Sequence, residues 1–151
     1  TAHGSSLDPA IHSLVAARLG AADLAERYFE QTVAIDSQDS TGSEALGLHI
    51  ATLGGLWQAT VFGFGGVTVS EAGIGVNPHL PVVWRSLTIP LRWHGSRMVL
   101  TITREPRTIT VEVQDGAANL LLGEHTFPLA PATTTHFRWD AAFSDWQQFT
   151  P

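Results

Sequence analysis

The sequence predicts a mixed α and β fold in which helices are followed by a small antiparallel β-sandwich. From Thr1 to about Gly65 the apolar residues recur at a spacing near the helical repeat, and from about Val67 onward they alternate with polar residues. These two periods are typical of amphipathic helices and of half-buried strands. We therefore expect three regions: a helical part over residues 1–65, the sandwich over 66–115, and an extension of the sandwich or a tail over 116–151.

Three helices are predicted before the change of period. The first has Ser6 as its cap, Pro9 in its opening turn and Gly20 after its end, which are the usual signals of a helix start and stop. Its apolar stripe consists of Ile11, Leu14, Val15 and Leu19. Three helices leave several apolar faces without an evident partner, so we expect that partner in an upstream segment or in another subunit.

The second and third helices are each predicted to turn one apolar side toward a neighbour. The second begins near Asp23 and carries Leu24, Tyr28 and Phe29. The third begins near Ser43, and its apolar side consists of Leu46, Ile50, Leu53, Trp57 and Val61. Because each of the glycines Gly54 and Gly55 disfavours a helix by roughly 1 kcal/mol relative to alanine, we expect another helix to pack closely there.

Short strands separated by glycine, proline and polar turns are predicted after residue 66. They cover Val67–Val69, Ile74–Val76, Leu87–Trp93, Met98–Ile102 and Ile109–Val113. In the third of these, apolar residues alternate with Thr88 and Arg92, as a half-buried strand requires. We predict hairpin turns at His94-Gly95-Ser96 and at Asp115-Gly116.

The composition excludes several classes of protein. Cysteine is absent, so disulfides and thiolate metal sites cannot form. All eight basic residues are arginines, and 14 acidic residues outnumber them. Nucleic-acid binding, in contrast, needs clustered cations. Glycines and polar residues interrupt the apolar stretch from Leu46 to Phe64, so we expect no membrane span. We expect a protein of the cytoplasm that binds neither nucleic acid nor membrane.

A series of short motifs follows at specific spacing along the first two thirds of the chain. The motifs are His3-Gly4-Ser5-Ser6-Leu7-Asp8, Ile11-His12-Ser13, Gly47-Leu48-His49-Ile50-Ala51, Gly54-Gly55-Leu56-Trp57 and Asn77-Pro78-His79-Leu80-Pro81. In residue type and spacing this series resembles glycoside hydrolase family 65. Two positions depart from the family pattern: Asp8 replaces a serine, and Ser43-Glu44-Ala45 replaces an Asn-Thr-x-acid segment.

The resemblance implies that this chain forms the final helices of an (α/α)6 catalytic barrel and the C-terminal β-sandwich after it. The implied activity is that of an inverting phosphorylase, which converts an α-linked disaccharide and inorganic phosphate into β-glucose 1-phosphate and a sugar, without a cofactor. The catalytic glutamate of the family has no counterpart here. We therefore expect the general acid upstream and no catalytic residue in this chain; the resemblance also implies a homodimer.

The resemblance places the phosphate site on Ser5, Ser6 and His49, with His3 as a further candidate. Hydroxyls and amides at a helix N-terminus can donate hydrogen bonds to phosphate oxygens, and the helix dipole favours an anion there. An imidazolium at position 49 would add a charge-assisted hydrogen bond. Phosphate would then take the place of the water and base that an inverting hydrolase uses.

Local sequence leaves other interpretations open. Ser5 and Ser6 also suit the cap of the first helix. Glu44 is a candidate base for activating water, which would make the enzyme a family-65 hydrolase of α-glucosides. A third hypothesis is a non-catalytic module that binds sugar or a partner subunit. The seven histidines show no short paired spacing, so we predict no metal site.

Overall fold

The computed structural model describes residues 7–37 and 49–151. In this part of the chain three α-helices precede nine β-strands, which confirms the predicted mixed α and β class. The chain divides into two compact units, residues 1–66 and residues 67–151. The first unit is helical and the second contains all nine strands.

The first two helices begin close to the predicted positions, while the predicted start of the third, near Ser43, lies outside the described residues. The helices are α1 (Asp8–Arg18), α2 (Ala22–Ser37) and α3 (Ile50–Gln58), and α3 continues as a π-helical segment over Ala59–Phe64. Pro9 lies in the opening turn of α1 as predicted, but the N-cap position falls at Leu7, whose side chain makes no capping hydrogen bond. Ser6, the predicted cap, lies outside the described residues.

The buried face of α1 carries small side chains, not the predicted apolar stripe. Its buried residues are Ala10, Ser13, Ala16 and Ala17. Ile11 and Val15 are each 47% exposed, and Leu19 is 78% exposed. Apart from the half-buried Leu14, the predicted stripe therefore faces outward, and small residues let neighbouring helices approach the other side of α1.

The apolar side predicted for the third helix is also largely outside the core. Ile50, Leu53 and Trp57 are exposed, whereas Val61 is buried in the π-helical segment; Leu46 lies outside the described residues. A Cβ atom added at Gly55 would come within 2.7 Å of the Ala10 Cβ atom. This confirms the predicted close approach of a helix at Gly55.

The second helix reaches its neighbours through aromatic rings, as predicted. The Tyr28 ring lies 5.0 Å from the His12 ring, and the Phe29 ring lies 5.4 Å from the Phe64 ring, measured between centroids. The buried Ser13 hydroxyl donates a hydrogen bond of 2.8 Å to the Ala25 carbonyl oxygen. Polar and aromatic contacts therefore join α2 to both of its neighbours.

The second unit is a sandwich of two β-sheets. Its strands are β1 (Val67–Ser70), β2 (Gly73–Val76), β3 (Ser86–Trp93), β4 (Ser96–Thr103), β5 (Thr108–Asp115), β6 (Ala118–Leu122), β7 (His125–Leu129), β8 (Thr133–Asp140) and β9 (Asp145–Phe149). One sheet has the order β1-β2-β6-β7 and the other β3-β4-β5-β8-β9. Neighbouring strands are antiparallel as predicted, except for the short parallel pairing of β2 with β6.

The two predicted hairpin turns have different outcomes. His94 and Gly95 join β3 to β4 with φ angles of 47° and 82°, which is typical of a tight two-residue turn. Asp115-Gly116, in contrast, leads from β5 in one sheet to β6 in the other. The second hairpin prediction is therefore wrong, because a glycine turn signal does not specify which sheet the next strand joins.

Residues after 115 complete both sheets. β6 and β7 belong to the four-stranded sheet, while β8 and β9 belong to the five-stranded one. Phe137 of β8 is fully buried, and its ring lies 4.8 Å from that of Phe127 in β7, across the two sheets. This region, which the sequence left as an extension or a tail, is an integral part of the sandwich.

Candidate functional site

The site predicted from sequence falls only partly within the described residues. His49 is described, and it is the N-cap residue of α3. His3, Ser5, Ser6 and Glu44 lie outside the described residues. The geometry that bears on the predicted phosphate site is therefore that of His49 and of the two helix ends nearest to the predicted residues.

The backbone of His49 starts α3. Its φ and ψ angles are −80° and 82°, and its carbonyl oxygen accepts hydrogen bonds of 2.9 Å from the Thr52 amide and 3.1 Å from the Leu53 amide. The half-buried imidazole makes no capping hydrogen bond to its own helix. Since the first amides of a helix lack partners within that helix, the positive end of the α3 dipole lies beside this side chain.

Helices α1 and α3 run in the same direction along their contact. Ala10 in the first turns of α1 lies against Gly55, and further along α1 the Leu14 Cα atom would be 3.1 Å from a Cβ atom at Gly63. Because the contacts advance in the same sense along both helices, their N-terminal ends lie at the same end of the pair. The N-caps Leu7 and His49 are therefore both at that end.

The opposite end of this helix pair is closed by a side chain. The Arg18 guanidinium, in the last turn of α1, donates a hydrogen bond of 3.0 Å from Nε to the Phe62 carbonyl oxygen of the π-helical segment. A cation at a helix C-terminus complements the negative end of the dipole. The helix pair thus has a cationic side chain at its C-terminal end and helix N-termini at its other end.

Asp8 changes the electrostatics of the N-terminal end. It lies in the first turn of α1, where a carboxylate stabilises the helix through its dipole. The same negative charge opposes a second anion near α1. An anion at this end would therefore need donors beyond the α1 dipole, such as hydroxyls or an imidazolium.

The sandwich contains a pocket to which sequence reasoning assigned no role. It has a volume of about 250 Å³, and its polar lining includes His79, Arg104, Glu105 and Arg107. His79 belongs to the Asn77–Pro81 motif, which served only as a mark of family resemblance. Arg107 and the aromatic residues beside it are far apart in sequence, so no local pattern could have brought them together.

In ranges 7–37 and 49–151, no group of three or more histidine, aspartate or glutamate side chains is arranged to hold a metal ion. No helix in the same ranges combines the length and hydropathy needed to cross a bilayer.

Two family models match this chain and together cover most of it. The model of the glycosyl hydrolase family 65 central catalytic domain matches residues 1–58. The model of the glycosyl hydrolase family 65 C-terminal domain matches residues 68–125. The junction between the two matches lies close to the boundary between the helical and the all-β units.

Curated relatives show the same similarity over longer stretches. The chain is 38% identical over 117 residues to a kojibiose phosphorylase of Halothermothrix orenii, a match that covers 78% of this chain and 15% of the relative. It is 33% identical over 124 residues to an α,α-trehalose phosphorylase of Geobacillus stearothermophilus, covering 82% of this chain and 15% of the relative. The chain thus spans about 15% of the length of these relatives.

A solved structure shares the fold. It is described as a putative kojibiose phosphorylase from human microbiome, and it superposes with a TM-score of 0.76 at 19% sequence identity. The match covers 89% of this chain and 18% of the other. At this identity the likeness concerns the fold alone.

Proposed function

This chain belongs to glycosyl hydrolase family 65, and we propose that it is the C-terminal part of an inverting α-glucoside phosphorylase to which it contributes the phosphate site. The complete enzyme would convert an α-linked disaccharide and inorganic phosphate into β-glucose 1-phosphate and a free sugar. The phosphate ligands in this proposal are Ser5, Ser6 and His49. The curated relatives described above are named phosphorylases, which favours phosphate over water as the acceptor.

The observation that best supports this site is the common direction of α1 and α3. Ser5 and Ser6 directly precede Leu7, the N-cap of α1, and His49 is the N-cap of α3. Since both N-caps lie at one end of the helix pair, hydroxyls just before α1 can approach the same anion as the imidazole. Two helix dipoles would add a favourable field there.

The chemistry assigned to these residues is binding and orientation of the nucleophile. Hydroxyl and imidazolium donors would hold phosphate so that one oxygen faces the anomeric carbon from the side opposite the leaving group. A bond then forms between phosphate and that carbon while the glycosidic bond breaks. The leaving oxygen takes its proton from a general acid, which we place upstream because the family's catalytic glutamate has no counterpart in this chain.

The partner in this proposal is the upstream part of the (α/α)6 barrel. We propose that it covers the exposed apolar side chains along α1 and α3, which we call the outward ridge. Some of its members recur every four residues along α1, and the others lie on α3. All of them are exposed, and they are Leu7, Ile11, Val15, Leu19, Ile50, Leu53 and Trp57. Burying one such side chain completely contributes about 1.5–3 kcal/mol, so covering the ridge would stabilise an assembly strongly.

The experiment is a steady-state assay of this chain produced together with its upstream barrel, as one polypeptide or two subunits. Kojibiose and trehalose serve as trial substrates, and release of glucose 1-phosphate is measured against phosphate concentration. We expect Ser5→Ala with Ser6→Ala, and separately His49→Ala, to raise the KM for phosphate at least tenfold, since each removes hydrogen bonds to a charged ligand. Ser70→Ala, in β1 of the sandwich, is the control.

The alternatives give different outcomes in the same assay. Release of glucose without phosphate, abolished by Glu44→Gln, would establish a hydrolase. Binding of oligosaccharide by this chain alone, together with no reaction of any assembled form, would establish a non-catalytic module. An unchanged KM for phosphate in both the Ser5/Ser6 double variant and the His49→Ala variant would remove the proposed phosphate site.

A further inference from the structure

Three of the eight arginines of this acidic chain lie around two adjoining cavities of the sandwich. Arg104 lines both cavities, while Arg107 lines one and Arg85 the other. The Arg104 amide donates a hydrogen bond of 3.0 Å to the Arg85 carbonyl oxygen, which joins the two cavity walls. The chain has a net charge of −6, so this concentration of positive charge contrasts with the rest of the molecule.

Arg107 is held in a fixed position by aromatic side chains. Its Cζ atom lies 4.4 Å from the centroid of the Trp139 ring and 5.3 Å from that of Trp146. Its carbonyl oxygen accepts a hydrogen bond of 3.0 Å from the Trp139 amide. A cation–π contact does not use the N–H donors of a guanidinium in hydrogen bonds to carboxylates, so these donors remain available for a planar or tetrahedral oxyanion.

The charges lining the first cavity are not balanced by the protein. Glu105 pairs with Arg104, with 2.9 Å between Oε1 and Nη1. Among the described residues no carboxylate forms an ion pair with Arg107. One carboxylate therefore faces two guanidinium groups, and His79 is the remaining titratable group in the lining.

Burial and the neighbouring Arg107 together determine the electrostatics of His79. Burial lowers the pKa of the His79 imidazole, and the positive charge of Arg107 lowers that pKa further. Burial also lowers the pKa of Arg107, although an arginine stays protonated at neutral pH. An anion placed between the two side chains would offset the repulsion and favour the imidazolium.

We propose that this cavity binds a small organic oxyanion, whose phosphate or carboxylate group lies between Arg107, Arg104 and His79. The remaining wall is formed by Pro78, Leu80, Ile102 and Thr103, and this mainly apolar wall suits a ligand body with an apolar face, such as a sugar ring or a short carbon chain. The cavity of about 250 Å³ has room for such a body. This proposal rests on the sandwich alone and does not depend on the proposed phosphorylase activity.

The test is an NMR titration of the 151-residue chain at constant ionic strength. The reporters are the His79 imidazole and the Trp139 and Trp146 indole signals, and the probes are glucose 1-phosphate, inorganic phosphate, acetate and uncharged glucose. We expect saturable shifts of all three reporters with at least one anion, none with glucose, and an upward shift of the His79 pKa in the bound state. The anion that binds distinguishes a phosphate site from a carboxylate site.

Matched variants make the result specific. Arg107→Gln should weaken binding at least tenfold, because a charge-assisted pair of hydrogen bonds is lost, and Arg107→Lys should weaken it less. Arg97→Gln is the control, since Arg97 is exposed and lies 4.0 Å from Asp115 at another part of the sandwich. His49→Ala should leave the sandwich reporters unchanged, which separates this site from the one in the helical unit.

Two results would overturn the proposal. The first is the absence of saturable shifts at the three reporters with any of the anions. The second is binding that Arg107→Gln and Arg97→Gln weaken equally, which would indicate a general effect of net charge. If the three reporters show no anion binding but the assembled enzyme still depends on phosphate, only this proposal fails. The proposed phosphorylase function would then remain supported.

Discussion

The helical unit and the sandwich bury different kinds of side chain. In the described part of the helical unit, much of the buried apolar set is alanine, and large apolar residues such as Leu19 and Ile50 are exposed. In the sandwich the core contains Leu100, Ile102 and Phe137, all almost fully buried. The sandwich therefore has a core of large apolar side chains, whereas the described helical unit buries mainly alanine and exposes several of its large apolar residues.

This difference shows what each unit needs in order to be stable. A large buried side chain removes more apolar surface from water than an alanine does, so the sandwich has the larger internal driving force. The helices gain their close contacts from small residues, as Gly55 and Ala10 show. Their large residues add stability only when a further element covers them.

Removing a large core side chain from the sandwich should have the largest effect. Phe137 is fully buried and contacts the Phe127 ring of the opposite sheet. We expect Phe137→Ala to lower the free energy of unfolding by about 3–5 kcal/mol, because a cavity remains between the sheets. Phe143→Ala is the control, since this side chain is 76% exposed, and it should change stability by less than about 0.5 kcal/mol. Urea unfolding followed by tryptophan fluorescence measures both, and equal effects would refute the described core.

Polar substitutions on the outward ridge should affect assembly and not the stability of this chain. Leu19→Gln with Ile50→Gln changes side chains that are 78% and 73% exposed, so the free energy of unfolding should move by less than about 0.5 kcal/mol per site. Association with the upstream barrel should weaken by about 1.5 kcal/mol or more per side chain.

The control for the ridge is Val69→Gln in β1, a side chain of the sandwich that is 59% exposed. Titration calorimetry between this chain and the upstream segment, made as separate polypeptides, measures the difference. Unchanged affinity in the ridge variant would show that another surface binds the barrel.

The smallest expected effects on stability are those of substitutions at the adjacent glycines Gly54 and Gly55 of α3. Alanine at Gly55 would place its Cβ atom 2.7 Å from the Ala10 Cβ atom, whereas nothing lies within 4 Å of the corresponding position at Gly54. We expect Gly54→Ala to stabilise the helical unit by about 1 kcal/mol through helix propensity. Gly55→Ala should destabilise it by about 1–2 kcal/mol, because overpacking outweighs the same gain. Thermal unfolding followed by circular dichroism at 222 nm compares the two variants. Stabilisation by both substitutions would argue against the close helix contact.

The sequence was most informative where the period of its apolar residues distinguished strands from helices. Strands β1 to β5 follow their predicted segments, because alternation identifies the inward face and His94-Gly95 adopts the positive φ angles of a tight turn. Proline was tolerated in the sandwich where strands lie at a sheet edge, as Pro90 in β3 and Pro128 in β7 do.

Other features could not be predicted for physical reasons. Helical periodicity marks an apolar face without indicating which side of the helix is covered within this chain, so the stripe containing Ile11 and Val15 did not reveal that the buried face of α1 consists of small residues. Arg107, which lines the pocket, contacts Trp139, a residue far away in the sequence, so no local pattern identifies this arrangement. Of the predicted phosphate ligands only His49 lies among the described residues, and the roles of Ser5 and Ser6 stay predictions.

The most direct test of the proposed phosphate site is a crystal structure of the complete enzyme with bound phosphate. We predict an ion at the common N-terminal end of α1 and α3, within hydrogen-bond distance of the Ser5 and Ser6 hydroxyls and the His49 imidazole. A structure in which these three side chains face different surfaces, or in which phosphate beside the sugar is bound by other residues, would contradict the account.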